Sequence, residues 1–352
     1  MKKPMDERVM VVSKRWEHHT KSGGFDRLGA MLSGRVVSRR PLGRWRRVER
    51  KLFYRGWRSP EHLLDYGYED GLVEREVVAE AKRRGSGLIH YLYGDEQMHA
   101  ALESSVGSGV LVAGTFHLPY FRSRERFERW EKRMRAGLAA GTAVSSELAR
   151  DLNEFFGDER IRYIPHGVDT EVFRPGVGRE SGGRLELAVV GGHMREFRLI
   201  HRIVDMCRWR GLPVDFVYVG PEYCHRYFTG CEGVRLLANV PEEGLVKVYQ
   251  EADALLLPVE AATANNSLIE GMACGLPVMS TRCAGIDDYL DDEAGWLLEN
   301  GDFEAWMRLI GQLCEDRRVL AEKAKKAREK ALTFSWEVVA RAYREWYGDV
   351  LG

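Results

Sequence analysis

The chain has 352 residues, 44% hydrophobic and 30% charged, with 37 glycines and 11 prolines. That balance belongs to an ordinary globular protein and excludes disorder, collagen-like repeats and solenoids; the length predicts two or three domains. Lys+Arg and Asp+Glu both total 53, yet residues 1–170 hold 31 basic and 24 acidic side chains, a surplus of seven that the second half reverses. The asymmetry is concentrated in residues 1–60, where 17 basic residues face 5 acidic ones, a field that attracts phosphate-bearing or membrane partners.

Apolar runs such as 254–259 are only six residues long, far short of the roughly 20 needed to span a bilayer. Charged residues interrupt any apolar signal region near the start, so a cytoplasmic location is expected. Six scattered cysteines form no C-x-x-C pair and have no histidine at zinc-site spacing, which reads as free thiols in a reducing compartment.

In chain order, short β-branched runs alternate with helical periodicities, the pattern of α/β proteins with doubly wound parallel sheets. The first half gives strands at 9–13, 87–92, 109–115, 141–144 and 161–164, with helices at 25–32, 96–103, 123–136 and 146–155. Residues 165–184 carry five glycines and two prolines without apolar periodicity. An exposed linker is therefore expected over 166–184, separating a first domain (1–165) from a second (185–331). The second half gives strands at 185–191, 214–219, 234–237, 254–257 and 277–280 and helices at 196–209, 242–252, 266–274, 302–314 and 316–331. Finally, Phe334, Trp336, Val339, Tyr343, Trp346 and Tyr347 form an aromatic stripe on one helix face, which predicts a buried terminal helix over 332–352.

The stretch 249–298 is the richest in chemistry. A buried strand ends at Pro258, a polar loop follows, and a helix starts at Asn266. The backbone N–H groups of Asn266, Ser267 and Leu268, with the positive end of the helix dipole, point to an anion site. Glu270, one turn in, is placed to reach the hydroxyls of a ribose attached to a phosphate. Gly271 and Gly275 are expected to allow close backbone approach and a clean helix stop.

The run SSELARDLNEFFGDERIRYIPHGVDTEVFRPG (145–176), followed by ADALLLP, LIEGMACGLPV, AGIDDYL and AGWLL, resembles the family 4 retaining glycosyltransferases of the GT-B fold. The likeness covers about 250 residues with the motifs in the family's order. It implies two facing Rossmann-like domains with a cleft between them, a nucleotide-sugar donor held mainly by the second, and a C-terminal helix crossing back to the first. The second Glu of the family's Glu-x7-Glu signature falls on Glu270, for which it implies ribose binding; the first falls on Ala262, with Glu260 nearby as a substitute. Asn265 and Asn266 stand where the family has a glycine-rich loop, so their side chains are expected near the sugar or phosphate. In VVGGHMREFRLI, Arg195 matches the family's diphosphate clamp beside Gly192, and Arg198 is its one candidate assistant because no Lys follows at the usual spacing; an ion pair of Arg195 with Glu196 is the structural alternative. Gly23 and Gly24 match the Gly-Gly loop of the first domain, and His117 falls where the family places an active-site His. His90, in LIHYL, reads as a core residue.

The resemblance thus implies transfer of a sugar from a nucleotide-diphosphate co-substrate with retention, catalysed with His117 and Arg195. No further cofactor and no metal are expected, since no Asp-x-Asp site is present. A catalytically silent nucleotide-sugar-binding protein and an epimerase or phosphorylase of the same fold remain alternatives. Neither SGGFDR nor VGGHMR is the G-x-G-x-x-G of a dehydrogenase. The basic segment 35–58 interleaves Trp45, Phe53, Tyr54 and Trp57 with cations; nucleic acid, an acidic membrane surface and a solvated loop all fit that pattern. Peripheral contact with the inner membrane face, without nucleic acid, is the partner expectation carried forward, beside a small-molecule, glycan or lipid-linked acceptor.

Overall fold

A computed structural model describes residues 5–13, 24–32, 35–36, 68–176 and 183–352. Gly23 and nearly all of the basic segment 35–58 lie outside these residues. The described chain divides into two compact units, the second starting at His166 and ending at Val338, with Val339–Gly352 belonging to the first.

The first unit runs α1 (Met5–Arg8), β1 (Val9–Ser13), α2 (Phe25–Met31), β2 (Arg35–Val36), α3 (Tyr68–Arg84), β3 (Leu88–Tyr91), α4 (His99–Ser105), β4 (Leu111–Phe116), α5 (Tyr120–Gly137), β5 (Leu138–Ala143), α6 (Ser146–Phe156) and β6 (Ile161–Tyr163). The second runs β7 (Leu185–Val190), α7 (Phe197–Trp209), β8 (Val214–Val219), a 3-10 segment (Glu222–Phe228), β9 (Val234–Leu237), α8 (Glu242–Glu251), β10 (Ala254–Leu257), α9 (Asn266–Ala273), β11 (Val278–Thr281), α10 (Ala284–Asp287), β12 (Gly295–Leu298), α11 (Phe303–Glu315) and α12 (Arg318–Leu332); α13 (Trp336–Leu351) returns to the first. No helix among the described residues is long and apolar enough to cross a membrane.

Each unit holds a six-stranded parallel sheet, ordered β2-β1-β3-β4-β5-β6 and β12-β11-β10-β7-β8-β9. Central strands such as β7 and β10 are buried and apolar on both faces because helices cover both. In β7, Ala188 and Val190 pack into one layer while Leu185, Leu187 and Val189 pack into the other. In the second sheet the strand order reverses between β7 and β10, and in such sheets ligands bind outside the carboxyl ends of the strands at that point.

Residues 177–182 of the expected linker lie outside the described residues; its start, 166–176, needs correcting. Val168 and Phe173 are buried in the core of the second unit, His166 N–H donates to the Tyr289 hydroxyl, and Val168 pairs with Ser335. Glycines and prolines suppressed the helical and strand signals there, but the apolar side chains between them still found a core. Helix α3 escaped the sequence reading because its polar faces carry little amphipathic contrast. Its buried Glu74 caps α4 instead: the carboxylate accepts from the N–H groups of Met98 and Ala100, both at 2.7 Å.

All six residues of the aromatic stripe are buried. Phe334 and Trp336 pack within the second unit, against Tyr289 and His166. Tyr343 and Tyr347 belong to the first, where His90 bonds through Nδ1 to the Tyr347 hydroxyl at 2.7 Å and through Nε2 to Thr115 at 2.8 Å. The Tyr343 hydroxyl joins Thr115 and Thr142 to this network. Burial drives the His90 imidazole down to a pKa of about 3, with His117 adding to the shift, so the network is neutral.

Candidate active site

The loops that leave β7 and β10 meet at the strand-order reversal of the second sheet. They are laced by a bridge between Arg195 and Val259, with Glu196 N–H donating to the Pro258 carbonyl and Glu260 N–H to that of Met194, both at 3.0 Å. This lacing turns the Arg195 side chain inward. Its Nε donates to the Val190 carbonyl at 2.9 Å, Nη1 to the His193 carbonyl at 3.0 Å, and Nη2 to Ser267 Oγ at 2.9 Å and Asn265 Oδ1 at 3.3 Å. All four acceptors are neutral. Among the described residues no carboxylate pairs with Arg195, so the ion pair with Glu196 does not form. Burial lowers the guanidinium pKa to about 10, which still leaves it charged at neutral pH.

Gly191 makes room for this arrangement. Its φ is +90°, and a Cβ there would lie 2.7 Å from Arg195 Nη2. Gly192, beside the clamp Arg in the family resemblance and so expected near the donor, is packed differently. A Cβ at Gly192 would instead meet Cys224 and Pro221 at 3.1 Å, so that position serves packing against the 3-10 segment.

Helix α9 begins beneath Arg195. Asn265 is extended, and its Oδ1 accepts from Leu268 N–H at 3.2 Å as an N-cap. Two expectations change accordingly. The Leu268 N–H is spent inside the helix, and the Asn265 Oδ1 is engaged by that cap and by Arg195. Ser267 Oγ, on the first turn, also donates to the Val190 carbonyl at 3.3 Å. Asn266 is the first helical residue.

Glu270 is buried and accepts from the Tyr249 hydroxyl at 3.0 Å. Burial raises its carboxyl to a pKa of about 8, outweighing the hydroxyl bond that favours ionisation. The Glu270 carboxyl is thus neutral at pH 7 in the free chain, able to donate as well as accept. Gly271 serves helix packing rather than ligand approach, since a Cβ there would meet Leu255 at 3.3 Å; Gly275, at φ +71°, provides the helix stop. Ala262, at the place of the family's first Glu, packs against the apolar core.

A cavity of about 630 Å³ opens beside these groups, lined by Arg195, Glu196, Phe197, Arg198, Tyr227, Glu260 and Asn300. The volume suits a small ligand or cofactor. Phe197 and Tyr227 stack at 4.3 Å with their rings nearly parallel, and Arg198 and Glu260 are exposed along it. Burial, then the neighbouring Glu260, raises the Glu196 carboxyl. Sequence reasoning missed Tyr249, Phe197, Tyr227 and Asn300, whose roles come from tertiary proximity. Gly191 was legible as half of a Gly-Gly pair following a strand.

In the first unit, Gly24 is the extended N-cap of α2, and its carbonyl accepts from Arg27 N–H at 3.0 Å. His117 follows β4. Its backbone N–H donates to Asp95 at 2.5 Å and its Nε2 to the Leu92 carbonyl at 2.7 Å, with the ring edge-on to Phe25 and stacked on Tyr93. The side chain is held in one orientation and is half-buried.

Residues 34–172 match the model of Glycosyltransferase Family 4, and residues 182–316 that of the Glycosyl transferases group 1. A D-inositol 3-phosphate glycosyltransferase of Corynebacterium jeikeium is 32% identical over 54% of this chain and 52% of that protein. Sulfoquinovosyl transferase SQD2 of Arabidopsis thaliana is 27% identical over 53% of this chain and 39% of its own length. The chain spans about half the length of three of the D-inositol 3-phosphate glycosyltransferases that it matches. Among solved structures, Anabaena HepE in complex with UDP-glucose superposes with a TM-score of 0.72 at 14% identity, covering 97% of this chain and 99% of that one. A glycosyltransferase from Rickettsia africae gives 0.71 at 14%, covering 98% and 99%. With two family models matched in tandem and the GT-B architecture reproduced over nearly the whole chain, this protein belongs to the family 4 type of GT-B glycosyltransferases.

Proposed function

We propose that this chain transfers a sugar from a nucleotide-diphosphate sugar to an acceptor with retention of anomeric configuration, using no resident cofactor. The observation that carries the reading is Arg195, a buried cation held on four neutral acceptors above the first turn of α9, beside a cavity. A buried charge is retained without a counter-charge where a ligand brings one. Cleavage of the donor builds negative charge on the leaving diphosphate, and Arg195, already fixed by its neighbours, meets that charge without reorganising. Glu270 is the ribose partner in this reading. Asn266 and Ser267 are its phosphate-side residues on α9, and His117, Gly23 and Gly24 are the further residues it names.

The test is a thermal-shift screen of nucleoside diphosphates and nucleotide sugars, starting with UDP and UDP-glucose because HepE is solved with the latter. A ligand at about 100 times its dissociation constant adds roughly 2.7 kcal/mol. No shift with any nucleotide, or shifts that survive Arg195→Ala unchanged, overturns the proposed site; formation of a product with inverted configuration overturns retention alone. Because fixed groups meet the leaving charge, transfer should persist in a chelator. Loss restored by magnesium or manganese would count against that.

Ala262 supports a second reading, a protein that binds nucleotide sugars without transferring them, for which binding without turnover in the presence of acceptors is the signature. The proposed location is cytoplasmic, with segment 35–58 as the contact to an anionic membrane face. Sedimentation with anionic and neutral vesicles at two salt concentrations tests it, comparing the protein with a variant having Arg44, Arg46, Arg47 and Lys51 changed to Gln. Equal binding by both proteins removes the membrane role.

A further inference from the structure

His201 and Asp205 are four residues apart on α7 and so project from one face of the helix. Cys231, from the turn between the 3-10 segment and β9, closes over the same face. His201 Nε2 lies 3.1 Å from Asp205 Oδ2; Cys231 Sγ lies 3.3 Å from His201 Nδ1 and 3.8 Å from Asp205 Oδ1. One ligand atom from each residue falls within 4.8 Å of the other two. Bonds of about 2.0–2.3 Å to a tetrahedral ion set ligand-to-ligand edges of about 3.3–3.8 Å, which ligand atoms already within 4.8 Å of one another reach by rotation of the partly exposed His201 and Asp205 side chains.

We propose that His201, Asp205 and Cys231 bind one zinc-class divalent cation, with a fourth position left to water. The donor set, one imidazole, one carboxylate and one thiolate, selects zinc or cobalt over magnesium or calcium, which take oxygen ligands. The Tyr227 carbonyl lies 2.8 Å from His201 Nδ1 and accepts its N–H, the outer-shell contact that fixes the ring and leaves Nε2 as the ligand atom facing Asp205. Binding replaces the Sγ–H bond of Cys231 by a metal–sulfur bond and releases that proton to solvent. The site has a structural consequence. Tyr227 supplies both the outer-shell carbonyl and the ring stacked on Phe197, so the ion ties the turn at Cys231 to α7 directly behind the cavity wall. It takes no part in leaving-group chemistry.

Cobalt(II) is the probe, added to the full chain stripped of metal. One equivalent should bind per chain, with near-ultraviolet thiolate-to-cobalt absorption and the visible bands of a tetrahedral ion. Cys231→Ser should abolish the thiolate band, and His201→Gln and Asp205→Asn should each weaken binding at least tenfold. Asp205 is largely exposed, so its variant retains the fold; circular dichroism confirms this for all three. Zinc should raise the unfolding temperature of the unaltered chain and not of Cys231→Ser. Absence of a thiolate–cobalt band, or a band of equal intensity in Cys231→Ser, overturns the proposal. Neither result depends on glycosyl transfer.

Discussion

Two buried polar clusters, one in each unit, differ in their charge balance. In the first, His90, Thr115, Thr142, Tyr343 and Tyr347 satisfy one another, and the depressed His90 pKa leaves the cluster neutral. In the second, Arg195, Asn265 and Ser267 are as well bonded but carry an uncompensated positive charge. Hydrogen-bond satisfaction therefore does not separate the two clusters. Net charge does: a closed neutral network fixes where α13 docks, whereas the surplus cation is the feature on which the proposed anion-binding role of Arg195 rests.

The largest effect that would break this contrast is on Arg195. Arg195→Ala should lower transfer about 10²–10³-fold, with a smaller loss in nucleoside diphosphate affinity, because leaving-group charge grows toward the transition state. Steady-state kinetics and calorimetry check the split; equal losses in both would make Arg195 a binding group only. Gly191→Ala should share the defect, since its Cβ would meet the guanidinium at 2.7 Å and its φ of +90° disfavours any side chain.

Next comes the neutral cluster. Tyr347→Phe leaves His90 Nδ1 without its hydroxyl and should cost about 1–3 kcal/mol of stability in urea unfolding while sparing nucleotide affinity. The His90 pKa is lowered from 6.5 to about 3, so the unfolded chain takes up a proton that the folded one refuses. The stability due to this group is present above pH 6.5 and is lost as pH falls from there toward 3. Unfolding curves between pH 4 and 7 measure that slope, and His90→Gln should flatten it.

The smallest effect concerns Glu270, which sharpens the comparison because it is a neutral member of the charged site. As a protonated acid it has Gln as a near-isostere, so Glu270→Gln should weaken nucleoside diphosphate binding by only about 0.5–1.5 kcal/mol, less than for an ionised acceptor. Its pKa is raised from 4.5 to about 8, so the folded chain keeps a proton that the unfolded chain gives up. Stability from this group is full below pH 4.5 and falls as pH rises to about 8. Glu270→Gln should remove that fall, and a variant with the same slope as the parent would place Glu270 in a more solvated setting.

The sequence by itself determined the alternation of strands and helices, the helix that starts at Asn266, the burial of the aromatic stripe and the candidacy of Arg195. Each is encoded locally, in the period of apolar residues, in capping and breaking residues, or in a motif of fixed spacing. Tertiary structure alone decided the rest. Residues 166–176 look like a linker because they lack apolar periodicity, yet Val168 and Phe173 are core residues, since burial depends on what a side chain meets after folding. Asn265 reads as a loop residue near a ligand, and only the fold shows its Oδ1 bound by the N-cap and by Arg195. An ordinary Glu is ionised at pH 7, whereas the protonation of Glu270 is set by desolvation and Tyr249, 21 residues away. Position along the chain fixes a residue's type and local geometry. Its charge state and its partners follow from the dielectric and the neighbours that only the folded chain assembles.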